Sequence, residues 1–171
     1  SAAFKLYSFM LFIPRIISLT IFPRIISENN IKSAFLSKAY KLTFLLGLLL
    51  YIFLFLSGDK IIEFLFGSEF DFSKGIFKVL ILSYLITSLS AVYIKVIYSK
   101  NLHSRLIYKA LVGIVINIMF NYIFIRKFGV YGVAYSTIIA LFFLEFIYDF
   151  FDPKLREIHI LKLKSIFTYD N

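Results

Sequence analysis

ALVGIVINIMFNYIFIRKFGVYGVAYSTIIA, residues 110–140, consists of two apolar runs joined by the short polar sequence Arg126-Lys127-Phe128-Gly129. In the first run Ala110, Gly113, Asn117 and Asn121 recur at three- or four-residue steps, which on a helix places them on one face. In the second, Gly132, Ser136 and Ala140 follow at intervals of four. Stripes of small and amide residues let helix backbones approach closely and hydrogen-bond across the contact. The pattern predicts a helical hairpin that packs on other helices.

The rest of the chain supplies those helices. Of its 171 residues 60% are hydrophobic and only 17% charged, with a mean hydropathy of +0.86. Soluble domains carry roughly 45–50% apolar and about 25% charged residues, so this composition cannot furnish a water-facing exterior. It predicts an integral membrane protein, an all-α polytopic membrane helix bundle of about five transmembrane helices. The net charge of +9 would suit nucleic acid, but the charges lie between apolar runs, as membrane flanks do. No nucleic-acid partner is expected. Cysteine is absent, which removes disulfides and thiolate metal sites. His103 and His159 stand far apart in polar segments without ligands at metal spacing and are read as solvated; neither a metal nor a cofactor is implied.

Five spans are drawn, near residues 4–26, 39–58, 76–98, 106–126 and 129–150, followed by a cytoplasmic basic tail at 152–171. The links between them alternate in charge. The first holds Arg24, Lys32, Lys38 and Lys41 against Glu28. The third holds Lys95, Lys100, Arg105 and Lys109 without an acid. The tail holds Lys154, Arg156, Lys162 and Lys164 against Asp152, Glu157 and Asp170. Basic links stay in the cytoplasm, so these three are placed inside and the N-terminus outside, although Arg126 and Lys127 run against the rule. Residues 59–70, DKIIEFLFGSEF, read as a short amphipathic helix on the outer face, ended at Gly67. Pro14 predicts a kink in the first span. An outside start, with Ser1 leading directly into an apolar run, fits a fragment of a longer protein.

Charges and amides at membrane depth are the candidate site residues, because they are costly there and usually face a cavity or a partner. Arg15 is the sharpest, since its planar fork binds phosphate oxygens bidentately; Ser8, Leu11 and Ser18 share its side of the helix. Lys95 lies on a stripe with Tyr84, Thr87, Ser88, Ala91 and Tyr98 and can reach a cavity or snorkel. Arg24 reads as a topology anchor with a cavity role behind it. Asn117 and Asn121 read as interhelical hydrogen-bond donors that can also line a cavity. Glu145 reads as the structural partner of a basic residue or a proton-coupling acid. Asp149 and Asp152, three residues apart, read as a solvated helix end. No nucleophile elbow, phosphate-cradling loop or catalytic carboxylate pair is present in the sequence, so no enzyme is expected.

The stretch NIMFNYIFIRKFGVYGVAYSTIIA at 117–140 resembles the closing hairpin of bacterial polysaccharide flippases, the Wzx-type O-antigen transporters of the MOP exporter superfamily. The matching residues are Asn117, Asn121, Phe128, Gly129, Gly132, Ala134 and Thr137. SAAFKL at the start, LFIPRIISLTIFPRIIS and FLFGSEFDFS agree in order. The resemblance implies that the chain is the last five helices of about twelve, part of a MOP- or MATE-like lobe. It implies transport of an undecaprenyl-pyrophosphate-linked oligosaccharide across the bacterial inner membrane by alternating access. The expected partners are that lipid-linked oligosaccharide, membrane lipids and a missing N-terminal lobe of the same protein. Arg15 is then the phosphate contact, with Lys95 and Arg24 behind it. The alternatives are a MATE-type multidrug exporter, which favours cavity acids and has only Glu145 to offer, a membrane-embedded enzyme of envelope biosynthesis, and an inactive truncated product.

Overall fold

The computed structural model describes residues 2–27 and 33–167. Ser1, Glu28, Lys32 and Asp170, which enter the readings above, lie outside the described residues, as does the end of the tail at 168–171. Every regular element among the described residues is helical: α1 Ala2–Met10, α2 Phe12–Ser27, α3 Ala34–Phe66, a 3-10 turn Ser68–Phe70, α4 Asp71–Ser99, α5 His103–Phe128, α6 Val130–Phe142, a π turn Phe143–Tyr148, α7 Asp149–Phe151 and α8 Pro153–Phe167. Among the described residues five stretches are long and apolar enough to cross a membrane: Ala2–Ser27, Ala34–Phe66, Ser68–Ser99, His103–Phe128 and Val130–Phe151. The molecule is an all-α polytopic membrane bundle.

Local chemistry sets the ends of these helices. Ser33 caps α3, its Oγ accepting the Leu36 N–H at 3.3 Å. At the other end Gly67 takes φ +88° and donates its N–H to the Glu63 carbonyl at 2.9 Å. Because nothing breaks the helix before Gly67, the acidic and apolar stretch from residue 59 is the last turns of α3. The separate surface helix expected there does not exist. The first span does break, but at Leu11 rather than at Pro14. A proline ring clashes with the carbonyl four residues earlier, here Met10, so the disturbance falls one turn upstream and Pro14 sits in the first turn of α2, where no N–H is needed. Asn101, at φ 57°, turns the chain between α4 and α5; asparagine tolerates this left-handed conformation.

The hairpin at 110–140 is tighter than its polar sequence suggests. Arg126, Lys127 and Phe128 remain helical as the end of α5, and Gly129 alone, at φ +58°, joins α5 to α6. Gly132 then lies against the Phe124 backbone, where any Cβ would collide with the carbonyl. Gly132, Ala134, Ser136 and Ala140 are all buried, so the small-residue stripe is the contact face of α6.

Helix α4 is the axis of the bundle: α1, α2, α3, α6 and α8 all pack on it. Its own small and hydroxyl residues permit close approach. Ser88 occupies the space that a Cβ on Gly47 of α3 would need, and Phe77 does so for Gly58. Two cores result. Leu6, Leu54, Ile62, Ile76, Phe77 and Leu80 build the first, towards the α3–α4 turn. Ile25, Leu36, Val92, Val96, Leu155 and Ile158 build the second, at the opposite end. Burial of such side chains contributes about 1.5–3 kcal/mol each against water, and less against lipid, so close packing carries more of the stability here. Outward-facing Leu111, Ile114, Val115, Ile118 and Met119 on α5 remain exposed, the surface a bilayer would cover.

Candidate functional site

The residues expected to line a site separate into three groups. Arg15 projects outward from α2 and makes no ion pair among the described residues. It shares its exposed surface with Phe12, Ile16 and Leu19. Ser18, expected to accompany it, is turned inward and donates its hydroxyl to the Arg15 carbonyl at 2.9 Å. The guanidinium is thus an open cation on an apolar face.

Arg24 and Lys95 form a second group at one end of α2. The Arg24 guanidinium lies 4.3 Å from the centre of the Phe35 ring on α3. Lys95 Nζ stands 5.1 Å from Phe22 and 6.0 Å from Tyr98. Aromatic faces attract cations through their quadrupole, so both side chains are held near the helix ends. Tyr84 and Ser88, expected to share a cavity stripe with Lys95, are buried in helix contacts. Asn117 and Asn121 make the third group. The Asn121 amide donates to Asn117 Oδ1 at 2.8 Å, and Ser136 Oγ donates to Asn121 Oδ1 at 2.5 Å. This ladder ties α5 to α6. Asn117 also borders a mostly apolar groove of about 470 Å³ between α1, α4, α5 and α6, with Thr87 and Thr137 as its other polar members.

The structure also builds a site that the sequence did not reveal. Glu145 faces inward from the π turn, and Lys109 Nζ of α5 reaches its Oε1 at 3.1 Å and Asp149 Oδ2 at 3.0 Å. Lys162 of α8 approaches Glu145 Oε2 at 3.2 Å, and Ser90 of α4 donates to the same oxygen. His159 Nδ1 lies 3.4 Å from Asp149 Oδ2. Tyr93 of α4 forms one wall, with Lys162 Nζ 4.5 Å and Lys109 Nζ 5.2 Å from its ring centre. Beside the cluster Arg105 pairs with Asp152 at 2.9 Å. Two lysines balance two carboxylates, which is what a low-dielectric interior requires. Burial lowers the pKa of the Lys162 ammonium, with the Glu145 carboxylate working in the opposite direction.

Three readings of the sequence are corrected here. His159 is wholly buried, not solvated, because α8 lays it between Tyr93 and Phe150. Asp149 and Asp152 are buried and paired instead of forming a solvated helix end. The tail is not simply a surface-lying basic segment: Leu155, Ile158, His159 and Lys162 form a buried face, while Lys154, Arg156 and Lys164 remain exposed. His103, by contrast, is exposed as expected. Glu145 has the basic partners foreseen for it, although they come from α5 and α8. The alternation of Lys with Leu and Ile in the tail was the one available signal, and it fits either a membrane surface or a protein surface.

Comparison with known families gives a match to the family described as lipid II flippase MurJ, over residues 8–169. No curated protein and no solved structure matches the chain.

Proposed function

The chain belongs to the lipid II flippase MurJ family, and from that premise we propose that it takes part in moving lipid II, a polyprenyl-pyrophosphate-linked peptidoglycan precursor, across the bacterial cytoplasmic membrane. The O-antigen unit suggested by the Wzx-type resemblance gives way to this substrate, since the matching family is named for lipid II. The five spans then form one lobe, and an opposing set of helices completes the cavity. Basic links at the Arg24–Lys95 end face the cytoplasm on this reading.

Arg15 carries the proposal within the site. It is an uncompensated guanidinium part-way along a span, on a surface otherwise built of Phe12, Ile16 and Leu19. Such a charge is stable only where it meets water or an anion, and a pyrophosphate offers bidentate acceptors of the right geometry. Arg24 and Lys95 provide further positive charge towards the cytoplasmic end. The protein moves its ligand and makes or breaks no bond, so catalysis is not assigned to any residue. A multidrug exporter would use a free cavity acid, and Glu145 is committed to Lys109 and Lys162.

The test is complementation in cells depleted of their own lipid II flippase, using the full-length protein. Arg15→Lys should retain part of the activity and Arg15→Ala should lose most of it, with both proteins present at parental levels. Full growth with Arg15→Ala would overturn the assignment of Arg15. Failure of the parent protein itself to restore growth, while supporting export of another polyprenyl-linked glycan, would overturn the substrate.

A further inference from the structure

The buried ion cluster has an unusual distribution of charge. Both acids, Glu145 and Asp149, belong to the last span, whereas the two lysines come from different elements, Lys109 from α5 and Lys162 from α8. With α8 in place the cluster is neutral. Without it, Lys109 alone would face two carboxylates in a buried position, an arrangement that low-dielectric surroundings strongly disfavour. The inner end of the last span therefore depends on α8 for its charge balance.

The connection to α8 is short, and the Arg105–Asp152 ion pair is the contact that its movement must break or carry along. Asp152, with φ −95° and ψ 112°, is the single extended residue between α7 and α8, and Pro153 after it restricts it to that region. Asp152 also accepts the Lys154 N–H at 3.0 Å, which starts α8 as a unit. Immediately before the hinge, Phe143–Tyr148 form a π turn, a rare and less stable winding that frequently marks functional positions. Docking of α8 is also incompletely compensated. Asp149 Oδ1 and His159 Nε2 are buried without a hydrogen-bond partner among the described residues, and such groups cost free energy.

We propose that α8 is a reversible strap: docked, its Lys162 and His159 hold the last span in its π-turned winding, and undocked, it frees the cytoplasmic end of that span to repack. The strap acts on the conformation of the bundle and is independent of which ligand the protein carries.

These 171 residues hold no cysteine, so, with any thiol elsewhere in the full-length protein replaced, a single introduced one reports local opening in liposomes. Ile158→Cys places it under α8, and Ala134→Cys places it in the other core as a reference. In the Ile158→Cys background, Lys162→Met should speed maleimide labelling about tenfold or more, as expected when a local unit opens by itself. Glu145→Gln removes the same pair from the other side and should do likewise. The double variant Glu145→Gln/Lys162→Met, which leaves Lys109 with Asp149, should return the rate to within about threefold of the parent. Labelling at Ala134→Cys should stay constant throughout. An unchanged rate at Ile158→Cys in both single variants overturns the strap. So does equal acceleration at Ala134→Cys, which would make α8 inseparable from the lobe, and so does a double variant as fast as the singles.

Discussion

Lys109 stands 3.0 Å from Asp149, forty positions later in the chain, and neither side chain has appreciable contact with solvent. The same ammonium lies 3.1 Å from Glu145. One lysine on α5 thereby fixes two successive turns of the last span. This relationship makes Lys109 a structural position in the bundle.

Lys109→Met should destabilise the protein by about 3–5 kcal/mol, the cost of leaving a buried carboxylate without its partner. Chemical unfolding in detergent micelles measures it. Lys127→Met, on the same helix but exposed and outside the cluster, should change stability by less than about 0.5 kcal/mol. Equal effects at the two positions would refute the cluster as a structural centre.

Gly132→Ala should destabilise by about 1–3 kcal/mol, because its Cβ would meet the Phe124 carbonyl and the Ile125 amide nitrogen, and backbone cannot give way as a flexible side chain can. Gly67→Ala has open space around it, so only the left-handed backbone at φ +88° opposes it, at about 1–2 kcal/mol. Thermal unfolding of the two variants, and a test of whether Gly132→Ala loses the α5–α6 contact, distinguishes collision from strain.

Ser136→Ala removes the hydroxyl that bonds Asn121 across the hairpin. Interhelical hydrogen bonds in membranes contribute about 0.6 kcal/mol on average and up to about 1.7. The loss should fall in that range, and because Asn121→Ala removes the same bond together with the one to Asn117, Ser136→Ala should add little to Asn121→Ala. A double-mutant cycle on unfolding free energies reads the coupling directly.

Arg15→Ala should leave folding within about 0.5 kcal/mol of the parent, as expected for an exposed side chain without an ion pair among the described residues, while the proposed transport activity falls. A stability loss comparable to that of Lys109→Met would show that Arg15 is structural, and its activity phenotype would then say nothing about phosphate binding.

The sequence was a good guide to elements and a poor one to interiors. The two helices of the hairpin and their contact faces were legible because Gly132, Ser136, Asn117 and Asn121 repeat at helical spacing, and spacing alone assigns a face; that Gly129 alone makes the junction and that Ser136 bonds Asn121 came from the structure. The first-span break was placed three residues late, because a proline disturbs the turn before it. The stretch from residue 59 was detached from α3, since its acids interrupt the apolar pattern although they do not interrupt the helix.

The ion cluster was illegible for a different reason. Ser90, Lys109, Glu145, Asp149, His159 and Lys162 occupy five elements, and each lies near the end of an apolar run, where a polar residue is ordinarily solvated. By itself the sequence determined that the chain is a helical membrane bundle, because its composition leaves no surface fit for water and each span must satisfy its own backbone. Only the tertiary structure decided that Arg15 faces outward while Lys162 and His159 face inward. Which side of a helix is buried depends on the neighbours that cover it, and here the decisive neighbour is α8, which docks across the ends of three spans.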